Sequence, residues 1–193
     1  MNERIKVLHH AEVINAISDI FYNAEHRIDI CGNFRLPSLI FSFESIRRAI
    51  MDNVKNRQGE KYTRQRYIFE ITQQNIQYCK ELMKTAEIRH MNEIEANLLL
   101  NEKEYLGSIT LKEPHQQAIY TNVTEIVQQQ QNIFETLWNK SILAEKKIKE
   151  IEDGTVHYET RIIEDAQEIV KEIGRLTASS TELCTCLTAG GMQ

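Results

Sequence analysis

Apolar side chains recur at three- and four-residue intervals along the third quarter of the chain, at Ile119, Val123, Ile126, Val127, Ile133, Phe134, Leu137, Trp138, Ile142, Ile148 and Ile151. That spacing lines one face of a helix. Pro114 suits a first helical turn and Gly154 a C-terminal stop, so the pattern predicts one long helix over 114–153, roughly 60 Å at 1.5 Å per residue. Its first half carries the bulky aromatics and should lie on a core. Its second half, AEKKIKEIEDG, is charged apart from a thin seam of Ile148 and Ile151 and reads as a connector. The glutamine run Gln128 to Gln131 reads as solvated helix surface; a buried Gln130 would instead need hydrogen-bond partners.

Upstream, short alternating runs trade places with amphipathic ones. Arg4 to Leu8 predicts a strand, Ala11 to Asn23 a helix, and RIDIC at Arg27 to Cys31 a second strand closed by Gly32-Asn33. Pro37 opens a second helix whose register holds Leu39, Ile40, Phe43, Ile46, Ile50 and Val54, with Gly59 marking its end. A strand over Tyr67 to Ile71 and a helix over Asn75 to Thr85 follow. Three short strands come next, at Glu87 to His90, Ala96 to Leu100 and Tyr105 to Leu111, the last two forming a hairpin through Asn101 to Lys103. Strands alternating with helices and ending in a hairpin imply an α/β sandwich with a mixed sheet.

The plan then begins again. Sliding the chain so that Val13 falls on Ile169 also places Ile14 on Val170, Ile17 on Ile173, Ile20 on Leu176, Ile28 on Cys184 and Ile30 on Cys186. The expected organisation is a first domain over 1–153 and, over 154–193, the start of a second, incomplete copy. The alternative is chance similarity between two amphipathic helix–strand units.

Composition narrows the function. With 193 residues, 41% hydrophobic and 26% charged, the chain can bury a real core. A net charge of −5 argues against a general nucleic-acid surface. The basic segment Lys55 to Arg66, KNRQGEKYTRQR, reads as a solvated turn. No run of eighteen apolar residues and no signal-peptide plan occur, so neither membrane insertion nor export is expected and the expected location is cytoplasmic. Cys31, Cys79, Cys184 and Cys186 lack zinc-knuckle spacing and read as small buried hydrophobes; no metal or other cofactor is expected.

The segments RYIFEITQQNIQYCKELMKTAEIRHM, NEKEYLGSITL, YTNVTEIVQQQQNIFETLWNKSILAEKKI and TRIIEDAQEIVKEI resemble the input region of archaeal sensor histidine kinases, over about Ala11 to Gln193. Phe134, Leu137, Trp138, Asn139 and Lys140 carry the most specific part, and Leu143 departs from the proline that the family often has there. Such domains, like the effector domain of TrmB-type archaeal regulators, are similar to one half of a phospholipase D enzyme. That enzyme's half-site is His-x-Lys, an Asp five positions on, and a Gly-Ser, in which the histidine attacks phosphorus and the lysine holds its oxygens. Gly107-Ser108 matches. Glu95 falls at the histidine position, Asn97 at the lysine and Glu102 at the Asp, so the resemblance supplies neither nucleophile nor cation.

The resemblance therefore implies a phospholipase D-like sandwich working as a non-catalytic sensory input domain of a two-component histidine kinase. The alternative is the effector-binding domain of a TrmB-like regulator; a residual phosphodiesterase using His90 is a third. A small-molecule ligand, not identifiable from sequence, or a partner domain would bind where the hairpin meets the preceding strands, bordered by His90, Asn92, Glu95, Asn97 and Ser108. The signal would leave through Trp138, Ile142, Ile148 and Ile151, the last three packing on a neighbouring domain or on the same helix of a homodimer.

Overall fold

The computed structural model describes residues 4–55, 63–109 and 116–154, together with 165, 167, 169–171, 173 and 174. The chain divides into two units, Met1–Val156 and His157–Gln193. In the first, β1 (Ile5–His9), α1 (Ala11–Asn23), β2 (Arg27–Gly32), α2 (Leu36–Ser42), α3 (Glu44–Lys55), β3 (Arg64–Phe69) and α4 (Ile76–Leu82) come in order. They are followed by β4 (Glu87–His90), β5 (Leu98–Leu100), β6 (Tyr105–Ser108), β7 (Gln117–Thr121), α5 (Thr124–Lys140), β8 (Ile142–Leu143) and α6 (Ala144–Glu152).

The strands form one mixed sheet in the order β1-β7-β6-β5-β2-β3-β4-β8. β2, β3 and β4 run parallel, with Gly32, Phe69 and His90 in one row at their carboxyl ends. The remaining pairs are antiparallel. Side chains alternate between faces, so Ile28, Ile30, Tyr67 and Phe69 meet a helical layer that supplies Val13, Phe21, Ile40 and Ile50. On the other face Cys31, Ile68, Leu98 and Leu100 meet Phe134 and Trp138 of α5. Burial from both sides matches the apolar runs at the carboxyl halves of β2 and β3, Ile30-Cys31 and Tyr67 to Phe69.

The single helix expected over 114–153 is not formed. Its stretch divides into β7, α5, β8 and α6. Ile119 lies in β7, where alternation sends Ala118 into the core and leaves Ile119 40% exposed. Ser141 ends α5: its backbone is extended (φ −80°, ψ 155°) and its Oγ donates to the Trp138 carbonyl at 2.7 Å. The chain turns at Ser141 to Leu143 without a proline, and β8 pairs with β4. The break has a packing reason. Phe134 and Trp138 belong to one core, Ala144 and Ile148 to the other, and one straight helix cannot lie on both faces of a sheet.

The connector expectation is corrected with it. Ile148 is 5% exposed in this domain's own core, with Ile151 packed at its margin, while Ile142 sits in β8 and is exposed. The buried part of the seam is thus covered within the domain, not held out for a neighbour or a dimer partner. The helix expected from Pro37 is likewise two, because Phe43 is extended (φ −118°, ψ 114°) between α2 and α3.

In the second unit, Asp165 opens a helical stretch, its Oδ1 accepting from Gln167 N at 2.9 Å and its carbonyl from Ile169 N at 3.0 Å. The repeat positions Leu176, Cys184 and Cys186 lie outside the described residues.

Candidate functional site

β5 runs antiparallel beside β2, with Leu98 opposite Cys31, which brings Asn97 to the carboxyl end of β2. Ligands of open α/β sheets bind at such carboxyl ends, where the strand order changes direction. Asn97 is buried, and its Oδ1 accepts from Asn33 N at 3.1 Å while its carbonyl accepts from Ser108 N at 2.8 Å. Gly32 permits this approach, because a Cβ there would stand 2.7 Å from Asn97 Oδ1 and 2.2 Å from Leu36 Cδ2. Asn97 Nδ2 is buried with no partner among the described residues. Asn97 lines a cavity of about 50 Å³ whose other described walls, except Ser108, are apolar, among them Val13, Ile17, Ile30, Leu36 and Leu106.

The structure joins Asn97 and Ser108 at this one place and puts His90 and Asn92 at another, three strands away, roughly 14 Å at ~4.8 Å per strand. Glu95 is exposed in the intervening loop. Glu102 follows the far end of β5 and accepts from the backbone N–H of Glu25 (2.9 Å) and His26 (2.5 Å), so it anchors the hairpin tip. His90 is buried; its Nδ1 accepts from Ile71 N at 3.0 Å and its Nε2–H then donates to Asn92 Oδ1 at 2.8 Å. Both ring nitrogens are committed in the neutral form.

Burial, the larger cause, outweighs the Asn92 bond and holds the His90 pKa below the ordinary histidine value. A depressed histidine stabilises the fold above its unfolded pKa, near 6.5, and that contribution is lost as pH falls below it toward the folded value. The His90 ring is therefore expected to titrate below the ordinary histidine value by nitrogen NMR. The unfolding midpoint should fall on further acidification, and less so in His90→Gln, whose amide oxygen can still accept from Ile71 N. A folded-state titration at or above the ordinary histidine value would contradict this.

A second polar constellation was not foreseen. Asp29 and Arg66 pair side by side on β2 and β3, and both are buried on the α5 face. Arg66 Nε reaches Asp29 Oδ1 at 2.7 Å and Nη2 reaches Oδ2 at 2.9 Å; Glu135 of α5 accepts from Nη1 at 3.0 Å and Nη2 at 2.6 Å. Gln131 Nε2 bridges Asp29 Oδ2 (2.8 Å) and Glu135 Oε1 (2.9 Å). The guanidinium also faces the rings of Phe134 and Trp138, at 5.0 and 5.2 Å from their centroids. Its hydrogen bond holds the Glu135 carboxyl below the usual carboxylate range. The signal in the sequence was a charge in the middle of an apolar strand, Asp29 between Ile28 and Ile30. Within the run Gln128 to Gln131 it is Gln131, not Gln130, that is buried.

Cys31 and Cys79 are buried free thiols, each pushed up to about 12 by burial, which suits packing and not nucleophilic chemistry. Among the described residues no helix is long and apolar enough to cross a membrane.

The chain matches no family model and no curated protein. Solved structures share its fold at low identity. NucT from Helicobacter pylori aligns with a TM-score of 0.56 at 10% identity, over 74% of this chain and 99% of its own. Nuc from Salmonella typhimurium, a phospholipase D family member, gives 0.53 at 10% identity, over 72% and 97%. TrmBL2, an archaeal chromatin protein, gives 0.50 at 12% identity over 73% of this chain, which spans only 54% of TrmBL2. The fold is the phospholipase D-like sandwich, with an eight-stranded mixed sheet and helices on both faces.

Proposed function

We propose that this chain is a non-catalytic, ligand-binding sensory domain, the cytoplasmic input region of a two-component histidine kinase. One observation carries the reading. Where the enzyme of this fold needs a nucleophile and a cation at the hairpin, this chain has an exposed Glu95 and a buried, neutral Asn97 facing an apolar cavity. A neutral amide can orient a ligand but supplies neither attack on phosphorus nor charge for its oxygens. His90, with both ring nitrogens engaged away from that cavity, does not replace the missing nucleophile. Incubation with bis(p-nitrophenyl) phosphate should release no nitrophenol above background; metal-independent release that disappears in His90→Ala would overturn the reading.

A second reading, the effector domain of a TrmB-like regulator, is favoured by the likeness to TrmBL2, whose structure shows a mode of DNA binding. The parent polypeptide separates the two: histidine phosphorylation from ATP supports the kinase, and retardation of duplex DNA the regulator.

A further inference from the structure

At the tip end of the β5–β6 hairpin, remote from Asn97, a cleft of about 520 Å³ opens between α1 and the edge strands β1 and β7. That volume lies within the roughly 300–1,000 Å³ of small-molecule sites. Lys6 stands opposite Tyr120 in the β1–β7 ladder, so alternation sends it, with Arg4, to the face of the sheet on which α1 packs. From α1, Glu12 and Asp19 line the same cleft, and all four charged side chains are exposed. Among the described residues neither cation forms an ion pair with a carboxylate. Glu104 also lines the cleft and is 6% exposed, yet its described partners are neutral: Asn23 Nδ2 at 3.3 and 3.1 Å, Asn101 Nδ2 at 3.1 Å and the Tyr120 hydroxyl at 2.7 Å. A buried carboxylate ordinarily has a cation beside it. Burial first, then the bond to Glu104, push the Tyr120 phenol above its ordinary value; Asp19 adds to that and Arg4 opposes it, so both charged walls act on this one hydroxyl.

We infer that this cleft binds a small zwitterion of the amino-acid or dipeptide kind, with its carboxylate at Arg4 and Lys6 and its ammonium at Glu12 and Asp19, in the field of the buried Glu104. An anion alone would meet three carboxylates and a cation alone would meet two basic side chains, whereas a zwitterion pairs with both walls at once. It completes ion pairs that these five groups do not make among themselves. Each exposed charge contributes little singly, so the expected affinity is millimolar. The site goes beyond the non-catalytic reading and does not depend on it, since it lies at the other end of the hairpin and uses none of the same residues.

The test is a titration of the full chain followed by proton–nitrogen NMR with three probes of equal length: glycylglycine, N-acetylglycylglycine, which lacks the ammonium, and glycylglycinamide, which lacks the carboxylate. Glycylglycine should give saturable shifts at the backbone N–H of Lys6, Asp19 and Tyr120, and each one-ended probe should bind about fivefold more weakly or not at all. Lys6→Gln should lower the preference for glycylglycine over glycylglycinamide by about threefold, and Asp19→Asn should lower its preference over N-acetylglycylglycine by a similar factor. Both side chains are exposed, so neither change threatens the fold. Linear, unsaturated shifts with glycylglycine would overturn the inference and leave a merely solvated set of surface charges. Equal saturation by all three probes, or preferences untouched by both variants, would overturn it as well. Hydrolysis of bis(p-nitrophenyl) phosphate, in contrast, would sink the non-catalytic reading and leave this site standing.

Discussion

Arg66→Ala is expected to destabilise the protein by roughly 3–5 kcal/mol, the usual result of removing one partner from a buried ion pair. Asp29 is fully buried, and without Arg66 its carboxylate keeps, among the described residues, Gln131 Nε2 at 2.8 Å and Arg27, whose Nε is 4.0 Å away. The Coulomb attraction of the native pair is not itself that large a gain, because both ions were desolvated to form it. The cost lies in the charge left behind. A double variant, Asp29→Leu with Arg66→Met, should therefore recover much of the loss, as apolar replacements of buried pairs often do. Urea unfolding measures both, and an Arg66→Ala midpoint equal to wild type would refute the account. Acid should act in the same direction. A depressed carboxyl stabilises above its unfolded pKa, and Glu135's contribution is lost as pH falls through its lowered value. Glu135 is 41% exposed, so solvent screening keeps this acid effect below the loss expected for Arg66→Ala.

Much of the fold was legible because its elements are short and strongly patterned. α1 occupies Ala11–Asn23 as its periodicity predicts, and β2 and β4 fall where expected, whereas β3 begins at Arg64, three residues before the expected Tyr67, because its first half, Arg64 to Arg66, carries no apolar signal. The failure at 114–153 has a specific cause. A five-residue alternating strand, QAIYT, contributes apolar residues that also satisfy a three-and-four count, so helical periodicity ran through a strand into α5. It ran on through Ser141 because a serine cap carries no apolar signal of its own. What decided the break was tertiary, the need to reach two cores on opposite faces, and no local pattern encodes that.

The positions of the candidate residues were legible in part for a related reason. Asn97 and Ser108 are close in sequence and joined by the hairpin, so placing the hairpin places them. His90 and Asn92 are also near in sequence, yet strand order separates them from Asn97, and that order is not written in any segment. The Asp29–Arg66–Glu135 cluster draws on three elements spread over more than half the described chain. Only its central charges in apolar strands hinted at it.

Trp138→Ala is expected to cost about 3–5 kcal/mol, within the range for deleting a buried large aromatic. The side chain is 6% exposed and stacks with Phe134 at 5.9 Å between centroids, and two guanidiniums, Arg66 and Arg89, lie over its ring. Truncation would remove apolar burial, the ring stacking and the electrostatic cover of both cations together. Trp138 also marks the end of α5. Its carbonyl accepts from Arg89 Nη1 at 2.8 Å and from Ser141 Oγ at 2.7 Å, just before the chain crosses the sheet edge into β8 and α6. A ring that fixes this corner links the position of α5 to that of α6, the path a sensory signal would take in the proposed function. Trp138→Phe keeps the stack and the carbonyl bonds and should lose much less than Trp138→Ala. Hydrogen exchange at Ser141 N, bonded to the Leu137 carbonyl at 3.0 Å, should accelerate in Trp138→Ala beyond what global unfolding explains and stay near wild type in Trp138→Phe. Trp138 is the chain's one tryptophan, so wild-type emission reports this corner directly and should shift red on unfolding. A Trp138→Ala protein with an unchanged midpoint and unchanged exchange at Ser141 would show that the corner is held by the backbone bonds of β8 alone.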